Sequence, residues 1–227
     1  MDAEYIRPSE IEKRSFEILT AELTARGIIL TGDTASVIKR CIHTTADFDY
    51  AETMRFSDDA VQKLKELIRS GAFIVTDTNM ALSGISKKEF AKYGGKLFCF
   101  MAEEDVAKEA SERKITRASV SMEKAMRLED PVIFVIGNAP TALITLHEHY
   151  TAGTYTPAFV IGVPVGFVNV EAAKELIMDS GIPYIVNKGR KGGSNVAAAI
   201  VNAVLYQMRD EPEDGSPVHQ TANRSGK

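Results

Sequence analysis

A basic, glycine-rich segment carries the clearest chemistry for binding an anion. Residues 187–194 read NKGRKGGS and stand between an apolar run and a helix-like stretch. The positive side chains, the flexible backbone and the free N–H groups of a helix N-terminus would attract phosphate or carboxylate. Neither GxxxxGKS/T nor GxGxxG is present, so the segment is not a standard nucleotide-binding loop. A phosphate site, a polycarboxylate site and a plain solvated turn all remain open from this composition.

Two further glycine turns follow apolar runs. Residues 137–141 read GNAPT and enter a helix, with Pro140 suited to its first turn. The side chains of Asn138 and Thr141 could hydrogen-bond a ligand, or Asn138 could simply cap the helix. Residues 162–167 read GVPVGF, which suits either an apolar wall for a flat hydrophobic ligand or a tight structural turn.

His43 is the best candidate for proton transfer, because an unperturbed imidazole titrates near neutrality. It lies at the projected C-terminal end of a helix, with Arg40 before it and Asp47 and Asp49 after it. The helix terminus and the two acids would favour the imidazolium, and Arg40 would oppose it. A lone histidine is more often structural, so the local sequence leaves both roles open.

Other catalytic patterns are not found. His147 and His149 are two residues apart and cannot form a helical i, i+4 ligand pair, and HExxH and GxSxG are absent. Cys41 and Cys99 sit in apolar contexts and are expected to be reduced, buried thiols. We therefore expect no metal bound by the protein itself.

These residues need a scaffold, and the apolar runs indicate one. The runs before the three turns are rich in Val, Ile and Phe without alternation, which is typical of buried parallel strands. Two earlier strands are predicted at residues 72–76 and 96–101. Strands that alternate with helices predict a single-domain α/β fold, a three-layer α/β/α sandwich with a mainly parallel central sheet. The three turns would then meet at the carboxyl edge of that sheet.

The helix boundaries also carry signals. Ser9 and Glu12 have capping-box spacing ahead of a first helix that Gly27 ends, and Ser57 is predicted to cap a helix stopped by Gly71. A second helix is predicted from Asp33, residues 115–128 are predicted to be helical, and residues 77–84 are predicted to be a loop.

Composition limits the class of protein. A chain of 227 residues can form one domain that buries on the order of 70% of its surface. A hydrophobic fraction of 44% with 26% charged residues is ordinary for a soluble protein, and the net charge of -4 argues against a nucleic-acid binder. No run resembles a signal peptide or a membrane span. We expect one cytoplasmic domain over residues 1–210 and a disordered tail over residues 211–227.

A set of short segments, in order along the chain, is more specific than any single one. They read RSFEI from Arg14, RCIHTTAD around His43, TDTNMALSGI from Thr76, TRA from Thr116, IGNAPTAL from Ile136, IGVPVGFV from Ile161 and GRKGGS from Gly189. Together they resemble the precorrin-8X methylmutase family, the isomerases of corrin-ring biosynthesis. The resemblance spans Tyr5 to about Met208. The version IHTTADFDY resembles the anaerobic branch, whose substrate already carries cobalt.

The resemblance implies a reaction. The family moves a methyl group from C-11 to C-12 of (cobalt-)precorrin-8 to give (cobalt-)hydrogenobyrinate or cobyrinate, formally a 1,5-sigmatropic shift. It implies no external cofactor, since any cobalt is carried by the substrate. It also implies a homodimer with sites near the subunit interface. An intramolecular rearrangement needs a rigid pocket and one proton source.

The resemblance also implies residue roles. The family's active-site histidine falls on His43, as the acid that protonates the macrocycle, and its substrate-contacting serine falls on Ser15. Basic groups and helix N-termini suit the peripheral carboxylates, and apolar side chains suit the ring faces. We predict the remaining substrate contacts at Arg14, Arg40, Thr76, Asp77, Asn79, Met80, Arg117, Asn138, Thr141, Pro164, Phe167, Arg190, Lys191, Gly192 and Gly193.

Two alternatives belong to other classes of protein. One is a tetrapyrrole-binding module that holds the product without catalysing its formation. The other is a phosphate-binding α/β enzyme that uses residues 189–194.

Overall fold

The computed structural model of the chain describes residues 6–211, and these form one sheet between two layers of helices. The strands are Met54–Phe56 (β1), Phe73–Thr76 (β2), Leu97–Phe98 (β3), Val132–Ile136 (β4), Phe159–Gly162 (β5) and Tyr184–Asn187 (β6). Their order in the sheet is β1-β6-β5-β4-β2-β3, and only β1 runs antiparallel to its neighbour. The predicted mainly parallel sheet is confirmed.

The helices of the described residues alternate with these strands. They are Ile11–Ala25 (α1), Asp33–Thr45 (α2), Tyr50–Thr53 (α3), Ala60–Arg69 (α4), Asn79–Gly84 (α5), Lys87–Phe90 (α6), Glu104–Arg113 (α7), Arg117–Ala125 (α8), Pro140–Thr151 (α9), Val170–Asp179 (α10) and Ser194–Asp210 (α11). None of the helices within 6–211 is long and apolar enough to cross a membrane.

The two faces of the sheet bury separate clusters of apolar side chains. Alternate residues of β4 point to opposite faces, so Ile133 packs with α1, α2, α4, α5 and α11 while Phe134 packs with α7 to α10. Both sets are fully buried, which explains why the strand sequences show no polar alternation. The three-layer α/β/α architecture is therefore confirmed.

Two strand predictions need correction. The antiparallel strand β1 is absent from the sequence prediction, because three residues with Arg55 in the middle give no apolar run. The strand predicted at residues 96–101 shrinks to β3, which lies at the edge of the sheet and pairs only with β2 within the described residues.

Three helix predictions are also wrong in detail. Residues 77–84 are not a loop throughout, because the Thr78 hydroxyl accepts the Ala81 N–H and starts α5. Ser9 lies in a 3-10 turn at Pro8–Glu10 and makes no cap, since Pro8 starts this turn ahead of α1. Ser57 does not cap α4; its hydroxyl accepts the Tyr184 N–H beside the end of β1.

Other boundaries agree with the sequence. Gly27 follows α1 at φ +74° and Gly71 follows α4 at φ +82°, both in the left-handed region that favours glycine. The second helix begins at Asp33 as predicted. The helix predicted over residues 115–128 is α8, which Thr116 caps by accepting the Ser119 N–H. Of the tail predicted to be disordered over residues 211–227, Glu211 is described and pairs with Lys65 and Arg69, and the rest lies outside the described residues.

Candidate active site

His43 occupies the last turn of α2 with its side chain exposed. Val37, Ile38, Cys41 and Ile42 bury the opposite face of that helix, as the sequence predicted. The imidazole lies on the phenyl ring of Phe16, with the centroids 5.0 Å apart and the planes inclined by 14°. Helix α1 therefore restrains the ring while leaving it accessible.

Arg40 lies one helical turn before His43 and also contacts the ring of Phe16. The Arg40 guanidinium is 4.7 Å from the centroid of Phe16 and forms an ion pair with Glu12. The hydrogen bond from Arg40 lowers the pKa of Glu12, so this carboxylate stays ionised at neutral pH. Arg14 and Ser15 lie on α1 beside Phe16, with Ser15 half-buried and Arg14 within 3.5 Å of Glu17. The RSFEI and RCIHTTAD segments thus meet in the fold.

Asp77 joins the carboxyl ends of β2 and β4. It is almost fully buried, and its two oxygens accept the N–H groups of Gly137, Asn138 and Ala139 at 2.6–2.8 Å. Burial raises the pKa of Asp77, and the three N–H donors oppose that rise by favouring the carboxylate. Its carboxylate oxygens are thus used inside the protein. The predicted direct contact of Asp77 with substrate does not fit this arrangement.

The residues around Asp77 divide into buried and exposed sets. Thr76 is buried and donates its hydroxyl to backbone carbonyls of Thr78 and Phe98, so its predicted contact with substrate also does not fit. Asn79 and Met80 in the first turn of α5 are exposed, Met80 by 70%. These two remain available to a ligand.

Hydroxyl pairs bring helix N-termini together at this edge. Thr78 and Ser194 share a hydrogen bond of 2.7 Å between α5 and α11, and Thr116 and Thr141 share one of 2.9 Å between α8 and α9. Arg117 is exposed at the start of α8. Asn138 is exposed just before α9 and makes no side-chain cap within the described residues. The hydrogen bond between Thr116 and Thr141 thus joins the start of α8, where Arg117 lies, to the start of α9, and the predicted substrate contacts at Arg117, Asn138 and Thr141 stay predictions.

Ion pairs join the basic loop at residues 188–193 to the segment that follows the helix of His43. The Lys191 ammonium donates to Asp47 and Asp49 at 2.6 Å each, and this raises the pKa of Lys191 and lowers that of Asp47. Both acids follow α2 within a few residues of His43. The loop and the histidine are thus neighbours within one chain. A substrate carboxylate that binds Lys191 would therefore compete with Asp47 and Asp49 for the positive charge of the ammonium group.

The apolar turn after β5 lies against the same loop. The Arg190 guanidinium is 3.3 Å from Glu171 and lies 5.7 Å from the ring centroid of Phe167, which is 83% exposed. The Gly166 N–H donates to the carbonyl of Arg190. Pro164 is buried, so it shapes the turn and the predicted contact of its side chain with substrate does not fit; the exposed apolar surface comes from Val165, Phe167 and Val168.

Close backbone approach accounts for the glycines. A Cβ on Gly192 would lie 2.1 Å from the carbonyl oxygen of Val163, and a Cβ on Gly137 would lie 2.6 Å from Cα of Ser194. The Gly193 N–H donates to the Val163 carbonyl at 2.9 Å, and Gly193 has φ +135°. All three glycines are required where the loops cross.

Three residues that hold this site could not be recognised from the sequence. Lys174 on α10 is fully buried, and its Nζ donates to the carbonyls of Gly189 and Lys191 at 2.6 and 2.8 Å. Asn187 donates to the Lys191 carbonyl and accepts from Thr53. Phe16 supports His43. Lys174 has the sequence environment of any exposed helical lysine, and only the fold shows its partners.

The arrangement as a whole combines one exposed imidazole, grouped helix N-termini, basic loops and exposed apolar side chains. It can donate a proton beside a surface that suits an anionic and partly flat ligand. The family model for precorrin-8X methylmutase matches residues 10–207 of the chain.

The chain belongs to the precorrin-8X methylmutase family. It is accordingly an isomerase of cobalamin biosynthesis. That membership favours the catalytic interpretation over a product-holding module and over a phosphate-binding enzyme.

Relatives in the precorrin-8X methylmutase family support the membership, and their similarity to this chain extends over most of their length. The chain is 47% identical to the cobalt-precorrin-8 methylmutase of Salmonella typhimurium, over 77% of this chain and 82% of the relative. It is 41% identical to the enzyme of that name from Priestia megaterium, over 88% of each. The solved precorrin-8X methylmutase from Thermus thermophilus superposes with a TM-score of 0.79 at 35% identity, covering 88% of this chain and 98% of that one.

Proposed function

We propose that this methylmutase acts on cobalt-precorrin-8 and moves a methyl group from C-11 to C-12, with His43 as general acid. The observation that supports the proposal is the pair of ion pairs from Lys191 to Asp47 and Asp49, which joins the basic loop to the segment that follows the helix of His43. A proton donor and an anion-binding loop are the two elements that this reaction needs from the protein.

The cobalt form is favoured by the relatives. The proteins at 47% and 41% identity are both named cobalt-precorrin-8 methylmutase, whereas the precorrin-8X methylmutase of Pseudomonas aeruginosa is 36% identical over 90% of this chain. Cobalt in this proposal belongs to the substrate, and the rearrangement uses no external cofactor.

The substrate suits the surface that surrounds His43. The peripheral carboxylates would bind at Arg117 and at the N-terminus of α11, because guanidinium groups and free N–H groups favour anions, and one carboxylate could compete with Glu171 for Arg190. The exposed side chains of Met80 and Phe167 would lie against the ring. Ser15 and Arg14 would complete the contacts next to His43.

The proton that His43 gives to the macrocycle must be returned within the same reaction. His43 as imidazolium would protonate the macrocycle, and the positive charge would promote migration of the methyl group with its bonding electron pair. Because the product is an isomer of the substrate, the ring must then lose one proton. The imidazole of His43 takes this proton and becomes imidazolium again. One histidine can serve both steps.

We also propose a homodimer. Ile11 and Ile18 lie seven residues apart on α1, hence on one face of that helix, and they are 51% and 44% exposed. Ser15 lies next to this face on α1, so a second copy that covers the face would contact the site at Ser15. Light scattering of the purified protein should give twice the monomer mass, and Ile18→Glu should shift it toward the monomer; a monomeric wild-type protein would contradict this part.

The cellular location is a further part of the proposal. Burial raises the pKa of the Cys41 thiol to about 12, so this thiol is unreactive and needs no disulfide partner. That suits a reducing compartment, and we propose that the protein is cytoplasmic.

The function is tested by an anaerobic assay with cobalt-precorrin-8 and with metal-free precorrin-8. We expect the absorption spectrum to shift at unchanged mass, faster with the cobalt substrate. His43→Ala should lower kcat by about 10²–10⁴-fold while product binding persists. His147→Ala, which changes a histidine of α9 remote from α2 in the sequence, is the control and should keep full activity. Undiminished turnover by His43→Ala would refute the acid role.

A further inference from the structure

We propose that Lys174 is a positioning residue that orients the backbone of residues 189–193 to receive a substrate carboxylate. Its side chain has no exposed surface, and its Nζ donates to the carbonyl oxygens of Gly189 at 2.6 Å and Lys191 at 2.8 Å. The lysine thus lies beneath the loop and pulls two of its peptide units toward α10. This inference rests on the proposed function, which gives the loop its ligand.

Peptide geometry converts these two contacts into a binding surface. The peptide bonds of the described residues are trans, so each N–H points opposite to the carbonyl of its own unit. With the carbonyls of Gly189 and Lys191 directed at Lys174, the N–H groups of Arg190 and Gly192 point to the other side of the loop. No acceptor for either N–H exists within residues 6–211. These two N–H groups, on the same side of the loop and two residues apart, can together donate to one anion in a concavity of the backbone.

The rest of the loop is fixed as well, so the concavity is preformed. The Lys191 carbonyl also accepts from Asn187 at 2.9 Å, and Asn187 in turn accepts from Thr53 at 2.6 Å. The Gly193 N–H donates to Val163 on the far side. Lys174 contacts the loop at two carbonyls, and these belong to the peptide units whose N–H groups are free.

The charges around the loop explain why a lysine serves here. The side chains of Arg190 and Lys191 are paired with Glu171 and with Asp47 and Asp49, so their charges are largely neutralised. The ammonium of Lys174 has only carbonyl partners among the described residues. Burial lowers its pKa to about 8, opposed by the nearby Glu171, so the charged form still predominates at pH 7. A positive charge beneath the free N–H groups favours a carboxylate above them.

The test compares Lys174→Met, which keeps the length and removes the donor and the charge, with Lys174→Gln, which keeps a neutral donor. Titration with the corrinoid product, followed by absorbance, should give a Kd raised about tenfold for Lys174→Met and less for Lys174→Gln. KM should rise by a similar factor while kcat changes little. Lys65→Met is the matched control, because Lys65 is also buried and pairs with Glu211 on the α4 side; it should lose stability without losing product affinity.

The proposal fails if folded Lys174→Met binds product with wild-type affinity, or if Lys65→Met loses affinity equally. Should Lys174→Met not fold, Lys174→Gln decides by the same titration. Hydrogen exchange of the peptide that covers residues 187–194 separates this inference from the proposed function. Faster exchange confined to that peptide supports the positioning role even if the wild-type protein neither binds nor converts corrinoids, and unchanged exchange overturns it.

Discussion

The imidazole of His43 stacks on the phenyl ring of Phe16, with 5.0 Å between centroids. The same phenyl ring receives the guanidinium of Arg40, which lies three residues before His43 on α2. A single side chain of α1 therefore restrains two neighbouring side chains of α2. Since the reaction depends on where the proton is delivered, this contact links the packing of two helices to catalysis.

Phe16→Leu should lower kcat about tenfold, because leucine keeps an apolar contact but offers no flat ring to orient the imidazole. The measurement is single-turnover conversion of cobalt-precorrin-8. Phe48→Leu is the control, since Phe48 receives the Arg26 guanidinium at 4.1 Å and makes no ring contact with His43. Equal losses for both variants would mean that Phe16 acts only through stability.

Gly192 marks the crossing of the basic loop and the turn after β5. An alanine Cβ there would lie 2.1 Å from the Val163 carbonyl oxygen, which is backbone and cannot rotate away. Gly192→Ala should therefore displace the loop and lower kcat/KM about tenfold to hundredfold. Gly153→Ala is the matched control: it also has a positive φ, +68°, but an added Cβ meets nothing within 4 Å. It should lose about 1 kcal/mol of stability and keep kcat/KM.

Strand burial decided how much of this fold was predictable. The runs of β4, β5 and β6 are buried on both faces, so their composition alone indicated a parallel sheet and its carboxyl edge. The antiparallel β1 was not predictable, because its pairing with β6 is a long-range contact of three residues. The helix α5 was not predictable either, since its start depends on one hydroxyl, that of Thr78.

The site residues also divide into those that the sequence predicts and those that depend on contacts made only in the fold. Residue type and motif predict His43, Asn138 and Arg117 as site residues, and all three are exposed in the structure. The motif predicts Asp77 as a substrate contact, yet its oxygens hold the turn before α9. The sequence gives no signal for Lys174, because its burial arises from the fold. A sequence motif identifies the neighbourhood of a site, and the partners of each polar atom decide which residues remain free for a ligand.

Asp77→Asn should destabilise the protein by about 2–4 kcal/mol. An amide has one acceptor oxygen in place of two, so at least one of the buried N–H groups of Gly137, Asn138 and Ala139 loses its partner. Urea unfolding at pH 7, followed by circular dichroism, measures the change. Asp210→Asn, at an exposed acid that pairs with its neighbour Arg209, should change stability by less than about 0.5 kcal/mol. A small effect at Asp77 would show that the turn is held by other contacts.

The buried Lys174 should give the stability a distinct pH dependence. Its pKa falls from 10.5 to about 8 on folding, because burial disfavours the ammonium. Between these two values the unfolded chain binds more protons than the folded one, so the free energy of unfolding rises with pH across this window. Below pH 8 both states are protonated and the lysine adds no slope.

The difference between wild-type protein and Lys174→Met isolates this contribution, since Glu171, Asp47, Asp49, Arg190 and Lys191 around the loop are common to both. Urea unfolding at several pH values from 7 to 10 should show the wild-type protein gaining up to about 1.4 kcal/mol per pH unit relative to the variant above pH 8. Lys174→Gln should follow Lys174→Met, because neither side chain titrates. Parallel curves for wild type and both variants would mean that the lysine keeps an ordinary pKa and that solvent reaches it beneath the loop.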